Sequence, residues 1–198
     1  MRLLVSRAAR PGRALTVLSL ALAIGACSND TTAPEPLVPV TATLTVDAAT
    51  ATAFVALGTQ PRAVAATDST SATAWDIAFN ASNVKLNTAG GVTAYCLCSN
   101  ESATDAAVMA MSAAAQLPTF EQVAATAIPA DASFAADVFT TKKWYRYNLT
   151  GNDHQIWPTF DVYLVKRGST VYKVQVTGYY GATGTARQIT IRSAMIRS

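Results

Sequence analysis

Residues 144–180 read WYRYNLTGNDHQIWPTFDVYLVKRGSTVYKVQVTGYY and hold the densest aromatic and β-branched sequence of the chain. Apolar side chains recur at every second position over residues 160–165, a Gly168-Ser169-Thr170 turn follows, and residues 171–177 alternate again. Period-two alternation on both sides of a short glycine-containing loop predicts two paired antiparallel strands. Because an isolated hairpin is only marginally stable in water, we expect the rest of the chain to supply a sheet that this hairpin joins.

The first 26 residues have the organisation of an export signal. Four arginines precede an apolar run over residues 14–23, and small residues then lead to Cys27. The run is too short to span a bilayer, and a cysteine directly after small residues resembles the lipobox of bacterial lipoproteins. The sequence therefore predicts a lipoprotein signal over 1–26 and lipidation at Cys27, which would tether the protein to a membrane, with Ser28 fitting the outer membrane. The alternative is a plain secretory signal in which this cysteine has no role.

Removal of this signal changes the charge of the protein. All twelve acidic residues lie beyond Cys27, whereas four of the fifteen Lys and Arg residues precede it, so the remaining chain has a net charge near −1. We therefore expect no nucleic-acid-binding surface. Residues 27–40 are rich in proline and threonine and predict an extended tether. Residues 41–198 then suffice for one domain with its own core.

Short β-branched runs predict further strands on both sides of the hairpin. Residues 41–46 and 51–57 are interpreted as an opening pair, residues 75–79 and 84–86 as the next strands, and residues 185–196 as the last one. Between them, the paired glycines at 90–91 permit positive φ and a sharp turn.

Residues 101–138 break this pattern. Alanine dominates from Glu101 to Leu117, with Thr104 placed to cap and Asp105 in the first turn, which predicts a helix. Thr119 begins a stretch with capping-box spacing, and residues 131–138 predict one or two further helical turns. The predicted fold class is mainly β: a single antiparallel β-rich domain with a short inserted helical segment.

Several of these stretches resemble the motifs of HmuY-like bacterial lipoproteins. They are Trp75-Asp76-Ile77-Ala78-Phe79, Asn87-Thr88-Ala89-Gly90-Gly91, Trp144-Tyr145-Arg146-Tyr147 leading to His154, Val162-Tyr163-Leu164-Val165-Lys166-Arg167, Tyr172-Lys173-Val174-Gln175-Val176 and Tyr179-Tyr180. The resemblance covers most of residues 41–198 except the region from Cys96 to Asp137. It implies a mainly β, outer-membrane-anchored protein that captures haem or a related porphyrin, and an outer-membrane receptor is the expected further partner. In the best-known member two histidines bind the iron from opposite sides, and relatives can use methionine.

The iron ligands cannot follow the two-histidine pattern, because His154 is the only histidine of the chain. His154 lies where the resemblance implies one ligand, and the alternative interpretation is a loop histidine that faces solvent. Met109 and Met111 are the candidates for a second ligand. On the predicted helix Met111 has core spacing and Met109 shares a polar face, which favours Met109, although both could be packing residues. The aromatic residues that could line a porphyrin cleft or form cross-strand pairs are Trp144, Tyr145, Tyr147, Trp157, Tyr179 and Tyr180.

Cys96 and Cys98 need a separate interpretation, because an exported protein meets oxidising conditions. A Cys96–Cys98 disulfide is favoured over two free thiols. A second hypothesis combines both cysteines with Met109 and Met111 in a soft-ligand site for copper.

The sequence contains no Gly-x-Ser-x-Gly elbow and no phosphate-binding glycine loop, and its carboxylates are scattered. We therefore expect a non-enzymatic, lipid-anchored protein of the cell envelope that binds haem. Copper binding is one alternative, and a structural or adhesion module of the envelope is another.

Overall fold

The structure is a computed structural model that describes residues 38–198 and is mainly antiparallel β, as the sequence predicts. The predicted signal over 1–26, Cys27 and most of the predicted tether lie outside the described residues. The strands are β1 (Ala42–Asp47), β2 (Ala53–Ala56), β3 (Arg62–Val64), β4 (Ile77–Asn80), β5 (Asn83–Leu86), β6 (Thr93–Cys96), β7 (Tyr145–Tyr147), β8 (Ile156–Pro158), β9 (Val162–Arg167), β10 (Thr170–Tyr180) and β11 (Ala186–Arg197). The α-helices are α1 (Asp105–Ala110), α2 (Leu117–Gln122) and α3 (Val138–Thr141).

The predicted hairpin forms the middle of a five-stranded sheet with the order β1-β11-β10-β9-β6. Thr170 pairs with Arg167, so the turn between β9 and β10 consists of Gly168 and Ser169, and Gly168 has a φ of 58°. The last strand, β11, is confirmed and pairs with β10 along almost its whole length. A β-bulge lies near Gly178, where β10 bends towards its end.

A four-stranded sheet with the order β3-β2-β4-β5 packs against one face of the five-stranded sheet. Its side chains Val55, Ile77 and Phe79 are buried with Val165, Ile189 and Ile191 of the larger sheet in one hydrophobic core. The predicted opening pair is therefore wrong in its pairing, because β1 joins β11 whereas β2 joins β3 and β4. Local β propensity identifies these strands but carries no information about their distant partners.

The inserted segment covers the other face of the five-stranded sheet. Leu164, Val171 and Ile196 on this face are buried against side chains that include Val123, Ile128 and Phe134 of the insert. A strand covered on both faces has no solvent side, and for this reason every residue of the alternating run over 160–165 is buried.

The predicted helix from Glu101 to Leu117 is wrong in length. The helix α1 ends at Ala110, and Met111 has extended backbone angles (φ −71°, ψ 149°). The second helix starts at Leu117, before the predicted Thr119, and Pro118 occupies its first turn, where a missing N–H costs nothing. Only Val108 and Phe120 are buried in α1 and α2, so little apolar burial is available to stabilise a longer helix despite its alanine content.

Candidate functional site

A cleft of about 300 Å³ lies between the end of α1, strand β8 and the end of β10. Val108, Met111, Ser112 and Ala113 form one wall, and Gln155, Ile156, Trp157 and Pro158 form the other. The remaining lining residues are Phe160, Thr177, Gly178, Tyr179 and Tyr180. The lining is mostly apolar and aromatic, which is typical of small-molecule sites, and the volume is at the lower end of their range of about 300–1,000 Å³.

The first wall is positioned by the cap and the charges of α1. The Thr104 hydroxyl accepts a hydrogen bond from the backbone N–H of Ala107 at 3.2 Å. Arg146 of β7 donates to the Asp105 carboxylate at 2.8 Å and to the carbonyl of Glu101 at 3.0 Å. These contacts hold α1 against the hairpin of β7 and β8, so both walls belong to one connected unit.

Met111 lies at the point where α1 ends. Because the backbone is extended there, Met111 does not continue the helical face of Val108, as the sequence suggested, but lines the cleft beside it. Its side chain is only partly buried. A thioether is therefore available at the wall of an aromatic cleft.

The second wall is tied to β10 and to the turn before β8. The Tyr180 hydroxyl accepts a hydrogen bond from the backbone N–H of Ile156 at 3.1 Å. The indole N–H of Trp157 donates to the Asp153 carboxylate at 3.3 Å. Asp153 also accepts from the backbone N–H of Gln155, and this bond is the main cause that lowers the pKa of Asp153 below its ordinary value. The wall is thus fixed at both of its ends.

Buried polar side chains lie behind the cleft, on the face of the five-stranded sheet that the insert covers. The Arg192 guanidinium donates to the Gln175 amide oxygen at 2.6 Å and to the carbonyl of Ala113 at 2.8 Å, and the Gln175 amide donates to the carbonyl of Phe160. Ala113 and Phe160 both line the cleft. Arg192 of β11 and Gln175 of β10, which are hydrogen-bonded to each other, therefore hold the backbone of the cleft at Ala113 and at Phe160.

Lys173 stands beside this pair and is fully buried. Its ammonium donates to the carbonyls of Phe120, Glu121 and Val123 at 2.9, 3.1 and 3.0 Å, at the C-terminal end of α2. Burial lowers the pKa of Lys173, while Glu121 acts in the opposite direction. The sequence pattern missed this role because Lys173 and Gln175 occupy the polar positions of an alternating strand. One signal in the sequence could have shown that Lys173 and Gln175 do not face solvent: Val171, which shares their face of the strand, is apolar.

His154 does not line the cleft. Its Nδ1 lies 2.8 Å from the Tyr147 hydroxyl at the exposed end of the hairpin of β7 and β8. The Asn148 side chain accepts a hydrogen bond from the backbone N–H of His154, and both residues have positive φ, 58° and 51°. The structure therefore places His154 and Tyr147 together, away from the lining that contains Met111.

The other predicted site residues lie in different places. Met109 is partly buried on α1 but is not part of the cleft lining. Trp144 is buried in the core and donates to the carbonyl of Ser82 at 2.9 Å. Tyr145 lines two other hollows and not this cleft. Of the predicted aromatic residues, three line the cleft: Trp157, Tyr179 and Tyr180.

A disulfide joins Cys96 and Cys98, whose Cα atoms are 5.1 Å apart. Cys98 lines a smaller hollow of about 170 Å³ with charged residues that include Lys142 and Asp161. The cysteines and Met111 thus lie at separate sites, and a disulfide offers no thiolate for a soft metal. Among residues 38–198, His, Cys, Asp and Glu side chains form no group of three or more that could hold a metal ion.

Asp76, a polar residue of the predicted strand over 75–79, is buried. Its carboxylate accepts a hydrogen bond from the backbone N–H of Leu57 at 2.7 Å and lies 2.9 Å from Nε of Arg167. It therefore links the two main sheets and contributes nothing to the cleft. In the described part of the chain, the helices are all too short or too polar to cross a membrane.

Comparison with known proteins adds evidence at the level of the fold. Neither the protein-family models nor the curated protein sequences contain a match to this chain. Among solved structures, a lipoprotein candidate of Bacteroides fragilis is 16% identical, with 76% of this chain and 88% of that chain covered and a TM-score of 0.44. A candidate HmuY-like haem-binding protein of Bacteroides vulgatus is 20% identical, with 77% and 90% covered and a TM-score of 0.46.

The apo form of an HmuY analogue from Tannerella forsythia is 13% identical, with 83% of this chain and all of that chain covered and a TM-score of 0.54. At this identity the likeness shows a shared fold and carries no residue roles. The resemblance that the sequence motifs indicate is therefore confirmed: this chain has the fold of HmuY-like proteins.

Proposed function

We propose that this protein binds haem or a related porphyrin as cargo in the cleft between Met111 and Trp157, without catalysing a reaction. The observation that carries the proposal is the presence of a partly buried thioether and several aromatic side chains at one cleft. The shared fold with an HmuY analogue and the sequence motifs support the same conclusion.

The lining fits a flat, largely apolar ligand. Trp157, Phe160 and Tyr179 supply aromatic surface, and Val108 and Ile156 supply aliphatic surface. A volume of about 300 Å³ holds part of a porphyrin, so the outer edge of the macrocycle would stay in contact with solvent. The Tyr180 hydroxyl is already engaged with Ile156, which leaves the Met111 sulfur as the soft donor of the lining.

We assign Met111, rather than Met109 or His154, as an iron ligand. Methionine is an established haem ligand that raises the reduction potential of the iron. A thioether is a soft donor and prefers the ferrous over the ferric state. The protein is therefore expected to bind reduced haem more tightly than hemin.

Replacement of Met111 by leucine tests this assignment, because leucine keeps the volume and removes the sulfur. In titrations followed by visible absorption, the variant is expected to lose affinity for ferrous haem by about tenfold, or ~1.4 kcal/mol, and much less for ferric haem. Met109→Leu and Met195→Leu are the matched controls and should behave like the wild type. The assignment would be contradicted if His154→Ala lost the spectrum of bound haem while Met111→Leu kept the wild-type affinity. The iron ligand would then be His154 at the tip of the hairpin.

We also propose that the protein is exported and acylated at Cys27, which anchors it to the outer membrane through the tether over 27–40. The support is the basic, apolar and small-residue order of residues 1–27. Cys27→Ser is expected to move the protein from the membrane fraction to the soluble fraction and to remove the acyl mass from its N-terminal peptide in mass spectrometry. Unchanged membrane association in this variant would exclude the lipid anchor.

A further inference from the structure

Arg192 is a buried guanidinium with an incomplete set of partners. It is 5% exposed, its Nε and Nη1 atoms donate to Gln175 and Ala113, and its buried Nη2 atom has no hydrogen-bond partner among residues 38–198. The Phe120 ring centroid lies 5.1 Å from the guanidinium carbon. Buried donors are nearly always satisfied in folded proteins, so an unsatisfied one at this position requires a physical explanation.

The charge of Arg192 is not neutralised by a direct ion pair, although Glu121 acts on it from a greater distance. In the part of the chain that the structure describes, neither Arg192 nor the neighbouring Lys173 has a carboxylate within 4 Å. The acidic residue whose charge acts on both cations, Glu121, is exposed and accepts a hydrogen bond from Thr41. Two buried cations therefore stand behind the cleft without a paired anion.

This positive charge is close to the ligand space. Arg192 Nη1 lies 2.8 Å from the carbonyl of Ala113, and Ala113 lines the cleft. The acidic groups near the cleft are Asp105, which is exposed and paired with Arg146, and Asp153, which is partly exposed at the rim beside Trp157. Solvent screens these exposed charges more than the buried ones, so the potential inside the cleft favours an anion.

We propose that the cleft selects flat apolar ligands that carry carboxylates, and that Arg192 is the specificity-determining residue. This inference rests on the proposed function and names the ligand class of the same cleft. The Arg192 charge and an anion in the cleft would be separated by the peptide unit at Ala113. At an effective dielectric constant of about 20, this attraction raises the affinity for the anion by about tenfold or more. Neutral ligands of the same shape gain nothing from Arg192.

The test compares metal-free protoporphyrin IX, which has two carboxylates, with its dimethyl ester, which has none. Both are titrated into the full-length protein at one detergent concentration and followed by porphyrin fluorescence. We expect the wild type to bind the diacid about tenfold more tightly than the ester. In Arg192→Gln the diacid should lose about tenfold more affinity than the ester, because both porphyrins share any effect of the lost contact with Ala113 but only the diacid loses the attraction of the charge. Arg192→Lys should retain the preference, and Arg197→Gln, at the far end of the same strand, is the matched control.

Equal affinity of the wild type for the two porphyrins overturns the inference but leaves the proposed function intact. A parallel loss of both porphyrins in Arg192→Gln, with no rescue by Arg192→Lys, also overturns it, because Arg192 then only supports the wall. If neither porphyrin binds, the proposed function fails and the inference fails with it. If Arg192→Gln does not fold, the test rests on the other two proteins. The inference then holds if both the wild type and Arg192→Lys bind the diacid more tightly than the ester, and it fails if either does not.

Discussion

Replacement of Lys173 by alanine is expected to lower the free energy of unfolding by about 3–5 kcal/mol. The side chain is fully buried, so its removal leaves a cavity under the insert. It also leaves the carbonyls of Phe120, Glu121 and Val123 without their shared donor, in a region that is buried at Phe120 and partly buried at Glu121 and Val123. Chemical denaturation followed by circular dichroism measures the loss.

Two variants separate the causes of this effect. Lys173→Met keeps most of the side-chain volume and removes the ammonium. The loss of stability in Lys173→Met therefore measures the effect of the unsatisfied carbonyls, and the additional loss in Lys173→Ala measures the effect of the cavity. Lys85→Ala removes an exposed lysine and is expected to change stability by no more than about 0.5 kcal/mol. A Lys173→Ala protein as stable as the Lys85→Ala protein would contradict the described attachment of α2 to the sheet.

Replacement of Gly90 by alanine is expected to cost about 3 kcal/mol or more. A Cβ atom at this position would overlap the backbone carbonyl of Ala72, and a backbone atom cannot turn aside as a flexible side chain can. The surrounding loop is held in place, because the Asn87 side chain donates to the carbonyls of Ser71 and Trp75 at 2.9 Å. Thermal unfolding of the variant would report the loss.

Gly91 provides the matched control, since it is the next residue and meets no atom within 4 Å of an added Cβ. Its φ is 70°, so alanine there should cost about 1 kcal/mol through backbone strain alone. If Gly90→Ala and Gly91→Ala are equally stable, the close approach of the two loops is not present in solution. The sequence attributes both glycines to positive φ, whereas the structure requires Gly90 for close contact and Gly91 for its backbone angle.

The strands were predictable from the sequence because their signal is local. Alternation over residues 160–177 identifies β9 and β10, and the same pattern identifies β11. The partners of β1 and β2 could not be predicted, because strand pairing depends on contacts between residues far apart in the chain. The length of α1 could not be predicted either, since alanine content favours a helix but Met111 leaves the helical conformation where apolar burial ends.

The candidate site was predictable only in part. Trp157 and Met111 were singled out from the sequence, and the structure brings both into one cleft. The pairing of Tyr147 with His154 was not visible, since Tyr147 ends β7 and His154 lies in the following loop, which contains several left-handed residues. Gln175 and Arg192 were missed because a polar residue at an alternating position normally indicates solvent. Here the insert covers that face, which no local pattern reveals.

The most direct test of the proposed function is a crystal structure of the protein with reduced haem. Our account predicts electron density for the macrocycle between Met111 and Trp157, with the Met111 sulfur on the iron and the carboxylates on the side of Ala113 and Arg192. Haem bound instead at His154 and Tyr147 on the hairpin tip, with an empty cleft, would contradict it.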